Sequence, residues 1–409
     1  NIFIKSHPNN IGTHTNAEQH ERGFPGTQSL EDEVVQMTAQ MLGAEGIING
    51  YIASGGTESN IMAVILARER LRLLNDGPIA ILCSIFTHYS IRKAAWATGL
   101  CGEEWHTCTT CSEKYGNGHN INHYYRSYGD KALLKLIGTD QAGRILLEPL
   151  QNRIAELYSQ GIKNFIVVSN EGNIITGGID NTELIGAMID NYKQTHQDAN
   201  FHLHVDAAFG GLVVPFVYPE RNLSFRVPVV DSICVDFHKM GKTPYPSAVF
   251  MYRDTEDNFY RSLLGVAMGY VPGETDGTLS GSRPGTAAAA CYSVIMHHGL
   301  LGFKSITHRC MEVVGDLRTL MLQEQGIEVL ASDINIVAFR LKYDVELPKR
   351  FVDGICLVYH RFPSNLSDVD DHVKMIYKVT VMPHFTLQKA VTFVIKLREQ
   401  LVLARELAQ

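Results

Sequence analysis

The chain has 409 residues, 45% of them apolar and 19% charged, with a formal net charge of −7. That balance describes a folded globular protein rather than a disordered one, and the net acidity offers no basic footprint for nucleic acid or for an anionic membrane surface. No apolar run approaches the ~20 residues that span a bilayer, and eight cysteines in a chain this long do not make a disulfide scaffold.

The start, Asn1-Ile2-Phe3-Ile4, has no basic region, apolar core or small-residue cleavage site of a secretory signal. A cytoplasmic location is expected, and the absence of Met at position 1 points to a trimmed chain. Leu30, Val34, Val35, Met41 and Leu42 fall at helical spacing and predict a helix ending near Gly43. Residues 47–53 read as a short strand and Thr57 to Leu74 as a helix. Ile79 to Cys83, Phe165 to Ser169, Leu203 to Val205, Ser232 to Val235 and Ala248 to Tyr252 are short apolar runs that fit buried strands. Helical stretches, Ile91 to Thr98 and Leu184 to Tyr192, lie between several of them, and this alternation predicts an α/β layered fold. Residues 101–130 are polar, aromatic and rich in Gly, Cys and His without a period, and read as an inserted surface loop. Ala287 to Ala290 opens a further helix. From about residue 300 the pattern is helix (Ile306 to Gln323), strand (Ile334 to Leu341), strand (Met375 to Met382) and helix (Leu387 to Leu403). The expected organisation is an N-terminal segment (1–45), a large domain (46–299) and a small α+β domain (300–409).

Four places carry chemistry. Ser54-Gly55-Gly56-Thr57 joins a strand to a helix start, where free N–H groups and the helix dipole suit a phosphate; a plain turn capped by Thr57 is the alternative. Asp206, in His204-Val205-Asp206-Ala207-Ala208, ends a buried strand at the edge where α/β folds bind ligands. A buried carboxylate needs a cationic or hydrogen-bonding partner, although an Asp here also caps loops. Lys239, in Asp236-Phe237-His238-Lys239, follows another strand. Desolvation would lower its pKa and make it a Schiff-base amine, whereas a lone lysine is ordinarily solvated. His88 stands at a further strand-to-helix junction, placed to stack on a flat ligand or simply to serve the structure.

In this chain order the four motifs resemble the fold type I enzymes dependent on pyridoxal 5′-phosphate, and within them the group II amino-acid decarboxylases. The archaeal-type tyrosine/aspartate decarboxylases and their bacterial relatives are the most similar group. Phe24-Pro25-Gly26-Thr27, Leu30-Glu31-Asp32-Glu33-Val34 and Val381-Met382-Pro383-His384-Phe385-Thr386 match their further motifs. Gly281-Ser282-Arg283-Pro284-Gly285 is also similar to sphingosine-1-phosphate lyase, a sister family. The resemblance implies a mostly parallel seven-stranded sheet, a small C-terminal domain and a homodimer with the active site at its interface. It implies a Schiff base on Lys239, a ring nitrogen paired with Asp206, and a ring held between His88 and Ala208. The phosphate would lie on Gly55, Gly56 and Thr57 with His238 close by. Tyr270, in the loop between Arg253 and Leu279, is the implied proton donor, with Tyr260 second, and Arg283 is the candidate for the substrate carboxylate. No metal is assigned: Cys108-x-x-Cys111 has zinc-like spacing, but Cys101, His106 and His119 supply no clean second pair.

Two departures stand out. Gly172-Asn173-Ile174 occupies the place of the usual Gly-Thr-Thr, so that Asn173 or Thr176 would have to replace a hydroxyl beside the ring. Lys378 occupies the place of a frequent Arg and lacks its bidentate fork. The expected activity is decarboxylation of a tyrosine- or aspartate-like L-amino acid. The alternatives are a lyase that cleaves a phosphorylated amino alcohol to an aldehyde, and a cofactor-binding protein without turnover.

Overall fold

In the computed structural model, which describes residues 9–10, 27–100, 103–107, 124–128, 133–267, 269, 275–343, 345–355, 357–363, 366–367 and 373–407, the apolar runs form one seven-stranded sheet. After helix α1 (Gln28–Met41) come β1 (Ile48–Ala53), α2 (Gly56–Leu74), β2 (Ile79–Ser84), α3 (Ser90–Ala97) and β3 (Leu134–Ile137). Then follow α4 (Leu147–Ser159), β4 (Asn164–Asn170), α5 (Thr182–Thr195), β5 (Asn200–Asp206), β6 (Val230–Asp236) and β7 (Ala248–Arg253). The order across the sheet is β1-β7-β6-β5-β4-β2-β3. Every pairing from β6 to β3 is parallel, and only β7 runs against its neighbours. β1, β2 and β4 are buried at every position, because helices cover both faces of such a sheet. That is why these strands read as unbroken apolar runs.

The shared strand direction brings Ala53, Ser84, Asn170, Asp206 and Asp236 to one edge, the carboxyl edge, at which open α/β sheets bind ligands. α6 (Gly285–Leu322) leads out of this unit. Sequence periodicity predicts two helices here; the structure joins them into one element broken at Gly299, whose φ of 54° and ψ of −174° are not helical. A four-stranded antiparallel sheet follows, in the order β8 (Ile327–Val329), β9 (Ile336–Leu341), β11 (Val373–Thr380), β10 (Val358–Pro363), covered by α7 (Leu387–Leu407). Phe303 of α6 stacks on Phe216 of the large unit, 5.9 Å between centroids, and one apolar core runs through both units.

The insert departs from expectation. Glu103–Thr107 pairs antiparallel with Tyr124–Tyr128, so part of the stretch read as a loop is a ribbon. Its aromatic residues favour extended backbone, but five-residue strands are too short to announce a period. Cys101, Cys108, Cys111 and His119 lie outside the described residues, as does Tyr270. Among the described residues no helix is long and apolar enough to cross a membrane.

The turns at the carboxyl edge pack backbone on backbone. A Cβ on Gly210, after β5, would overlap the carbonyl oxygen of Glu171, after β4. Gly210→Ala is therefore expected to lower the free energy of unfolding by about 1–3 kcal/mol. Denaturant melts check this, and an unchanged midpoint would mean that the two turns yield freely.

Candidate active site

A cavity of about 210 Å³ opens at the carboxyl edge. Its floor is the turn from β1 into α2. Glu58 folds back so that its Oε2 accepts from the Ser54 N–H at 2.9 Å, which fixes the turn. The N–H groups of the first turn of α2 have no intrahelical acceptor, and Gly55, Gly56 and Thr57 all line the cavity. A Cβ on Gly56 would stand 3.0 Å from Asp236 Oδ2 and 3.1 Å from Ala208 Cβ, so glycine keeps this cradle open. His238 borders it, its Cε1 3.5 Å from where a Gly55 Cβ would be, and its Nδ1 lies 2.8 Å from the Ser247 carbonyl oxygen.

Asp206 ends β5 nearly buried, 8% exposed. Its Oδ1 accepts from the Ala208 N–H at 3.1 Å, and its Oδ2 from Asn60 Nδ2 at 2.9 Å. Burial alone would raise its pKa. The charge of Lys239 and the Asn60 hydrogen bond help to outweigh burial and hold it below the usual carboxylate range. An anion fixed at this depth fits a protonated ring nitrogen.

Lys239 lies just beyond β6, with its Nζ 2.8 Å from Asp236 Oδ2. Burial pulls its pKa down, as the sequence reading expects, but the charge and hydrogen bond of Asp236 and the charge of Asp206 reverse the outcome and hold the ammonium above its ordinary value. The expectation of a depressed amine is thus corrected for the cofactor-free protein. Asp236 is the functional residue that the sequence reading passed over. It ends a buried strand as Asp206 does, and its Oδ1 is buried without a hydrogen-bond partner.

His88 lines the cavity, with Nδ1 2.7 Å from Ser90 Oγ. Burial first, and Lys239 among the neighbouring charges, keep its imidazole below its ordinary pKa, hence neutral. Ala208, Phe209, Tyr89 and Tyr245 complete the walls. The residues fit pyridoxal phosphate: a cradle for an anion, a fixed carboxylate, an amine and a flat ring, all in one cavity.

Three expectations meet the structure differently. Neither Asn173 nor Thr176 offers a free group. Asn173 Oδ1 accepts from the N–H groups of Ile175 and Thr176, its Nδ2 donates to Gly143 O at 3.1 Å, and Thr176 Oγ1 donates to Ala142 O at 2.6 Å. Arg283 does not line the cavity. It is buried in an ion pair with Glu31, and its Nη1 also donates to Ile52 O at 3.0 Å, so its fork is already filled by a carboxylate of the protein. Lys378 of β11, by contrast, stands behind the cavity wall. Its Nζ donates to the carbonyl of cavity-lining Ile174, and burial, then the charge of Lys239, push its pKa down to about 8. Breaking a buried ion pair strands the surviving charge, so Arg283→Met is expected to cost about 3–5 kcal/mol of stability. A variant that kept its melting point and instead lost substrate affinity would restore Arg283 to the substrate site.

Residues 20–342 match the family model described as the pyridoxal-dependent decarboxylase conserved domain. A probable L-tyrosine/L-aspartate decarboxylase of Methanothermobacter thermautotrophicus is 30% identical over 322 residues, 77% of this chain and 74% of the relative. Among solved structures, L-methionine decarboxylase from Streptomyces sp. 590 superposes with a TM-score of 0.76 at 20% identity, covering 98% of this chain and 88% of that one. Sphingosine-1-phosphate lyase of Burkholderia pseudomallei K96243 superposes with a TM-score of 0.71 at 21% identity, covering 93% and 78%. Both have the fold seen here, a large mostly parallel sheet with a small C-terminal unit, and the chain itself belongs to the pyridoxal-dependent decarboxylase family.

Proposed function

We propose that this pyridoxal-phosphate-dependent amino-acid decarboxylase acts on an aromatic, tyrosine-like L-amino acid, as a homodimer in the cytoplasm. The observation that carries the substrate class is the composition of the cavity wall. Tyr89, Phe209, Tyr245 and Ile174 offer flat and apolar surface. Among the described residues the cationic groups at hand are Lys239, which the cofactor would take, and Lys378 behind Ile174. Aspartate carries a second carboxylate and would need a second strong cation, and Arg283 is committed to Glu31. Of the two substrates in the name of the methanogen relative, tyrosine suits this wall.

Bound pyridoxal phosphate supplies the electron sink for the pair left behind when CO₂ departs. The chain's part is orientation and charge. Gly55, Gly56 and Thr57 would hold the phosphate, with His238 beside it, and Asp206 would keep the ring nitrogen protonated. His88 and Ala208 would bracket the ring and so fix the plane against which the scissile bond is aligned. Lys239 is the attachment point. Asp236 Oδ2, 2.8 Å away, would orient the amine, whose proton must first leave to solvent. Tyr270 is our candidate for returning a proton to Cα. Lys378 would receive the α-carboxylate as a single point charge rather than through a fork.

Product analysis tests the substrate class. Amine and CO₂ are expected from L-tyrosine with kcat/KM roughly 100-fold above that for L-aspartate, and Lys239→Ala, which also loses the bound cofactor's absorbance near the visible edge, is expected to release neither. Preference for aspartate, or release of an aldehyde in place of CO₂, would sink the proposal. Lys378 adds a pH dependence. Its ammonium predominates below a pKa of about 8, so KM is expected to rise as pH climbs through that value. Lys378→Arg should move the rise to higher pH, and an unmoved limb would show that another group governs it.

A further inference from the structure

Beneath Asp206 the interior holds an unusual run of polar groups. Asn60, 1% exposed, donates from Nδ2 to Asp206 Oδ2 at 2.9 Å and to Ser90 Oγ at 2.8 Å, and Ser90 Oγ is 2.7 Å from His88 Nδ1. Asn60 Oδ1 lies 2.8 Å from His204 Nε2. His204 Nδ1 is 2.9 Å from Ser232 Oγ, which is 2.9 Å from His202 Nε2. His202, His204 and Ser232 are fully buried.

Proton positions in this column follow from one end. An ionised carboxylate only accepts, so Asn60 must turn its NH₂ to Asp206 and its oxygen to His204. His204 Nε2 therefore carries the proton and its Nδ1 accepts, which obliges Ser232 to donate to it. Ser232 Oγ then accepts from a protonated His202 Nε2. At the far end His202 Nδ1 is buried without a hydrogen-bond partner, 3.9 Å from Asp231 Oδ2, and Asp231 pairs with Arg70. Burial favours the neutral imidazoles this order needs, with His204 lowered to about 4 and His202 to about 3. Every donor from His202 to Asn60 points toward Asp206, and aligned hydrogen bonds polarise one another in a medium of low dielectric. The amide of Asn60 breaks any path for proton hopping, so the column orients and stabilises charge and does not conduct it.

We propose that Asn60, backed by the buried column His204–Ser232–His202, is the positioning hub that holds Asp206 anionic toward the cofactor's ring nitrogen and, through Ser90, sets the tautomer of His88 on the ring face. The inference rests on the contact between Asp206 and the ring assigned above, and it adds residues that never touch the cofactor.

The test uses Ser232→Ala, Ser232→Thr and Asn60→Leu, with Asp206→Asn as the reference for the ring contact. Affinity of the apo protein for pyridoxal phosphate is read by equilibrium titration, together with the absorbance spectrum of the bound cofactor and thermal melting. Losing a hydrogen bond to a charged group should weaken binding roughly tenfold in Asn60→Leu. Ser232→Ala should shift the spectrum in the direction of Asp206→Asn but less far, and Ser232→Thr, which keeps the hydroxyl, should restore it. Folded Ser232→Ala and Asn60→Leu proteins with the parent spectrum and affinity would overturn the hub. If Asp206→Asn alone shifts the spectrum, the hub falls and the ring contact stands; if Asp206→Asn is silent too, both fall. Where a variant does not fold, the wild-type apo protein decides through ¹⁵N-histidine NMR. Neutral His202 and His204 protonated on Nε2 support the column, and any other tautomer at either histidine removes it.

Discussion

The site is organised around a negative charge buried in the sheet. Asp206 sits nearly buried between Asn170 and Cys234 of the neighbouring strands, where an isolated carboxylate would cost several kcal/mol and simply take up a proton. It stays ionised because the Ala208 N–H, the Asn60 amide and the charge of Lys239 compensate it from several sides. Hydrophobic residues of similar volume would be more stable in such a place. In the proposed role its strongest cation would arrive with the cofactor, which accounts for a carboxylate here.

The same reasoning separates the two strand-end aspartates. Asp206 accepts from the Ala208 N–H and the Asn60 amide, whereas Asp236 is paired with Lys239. Asp236 also lies against the Gly56 backbone, where an incoming phosphate brings further negative charge. The two carboxylates thus differ in their partners rather than in burial, since both are nearly buried.

Strand ends were legible in the sequence because a fully buried parallel strand is an unbroken apolar run, and the first polar residue after it marks the sheet edge. Asp206, Lys239, His88 and the Gly55–Gly56 turn were found that way. The column beneath them needed the register between strands: only the pairing of His204 with Ser232 across β5 and β6 joins residues 28 apart. One signal was available, since His202, His204 and Asp206 alternate along β5 and so share a sheet face. The pairing of Arg283 was not legible, because its partner Glu31 sits 252 residues away in the sequence on α1. α4 was missed although Leu150, Ile154 and Leu157 follow helical spacing and are all buried. Its polar remainder diluted the pattern.

The two cations weighed for substrate capture illustrate how side-chain chemistry follows the task. Arg283 fixes α1, β1 and the start of α6 to one another through Glu31, whose Oε1 also accepts from the Ile52 N–H at 2.6 Å. A rigid fork on a buried carboxylate suits a joint that never opens. A decarboxylase faces a different demand, because its substrate's carboxylate must lose its charge as CO₂ forms. Tight bidentate pairing would stabilise the bound substrate more than the transition state and slow the step. Lys378 carries a single ammonium, weakened by burial and resting on the Ile174 carbonyl. In the proposed role it would guide a carboxylate toward the site without gripping it, which suits the departure of CO₂.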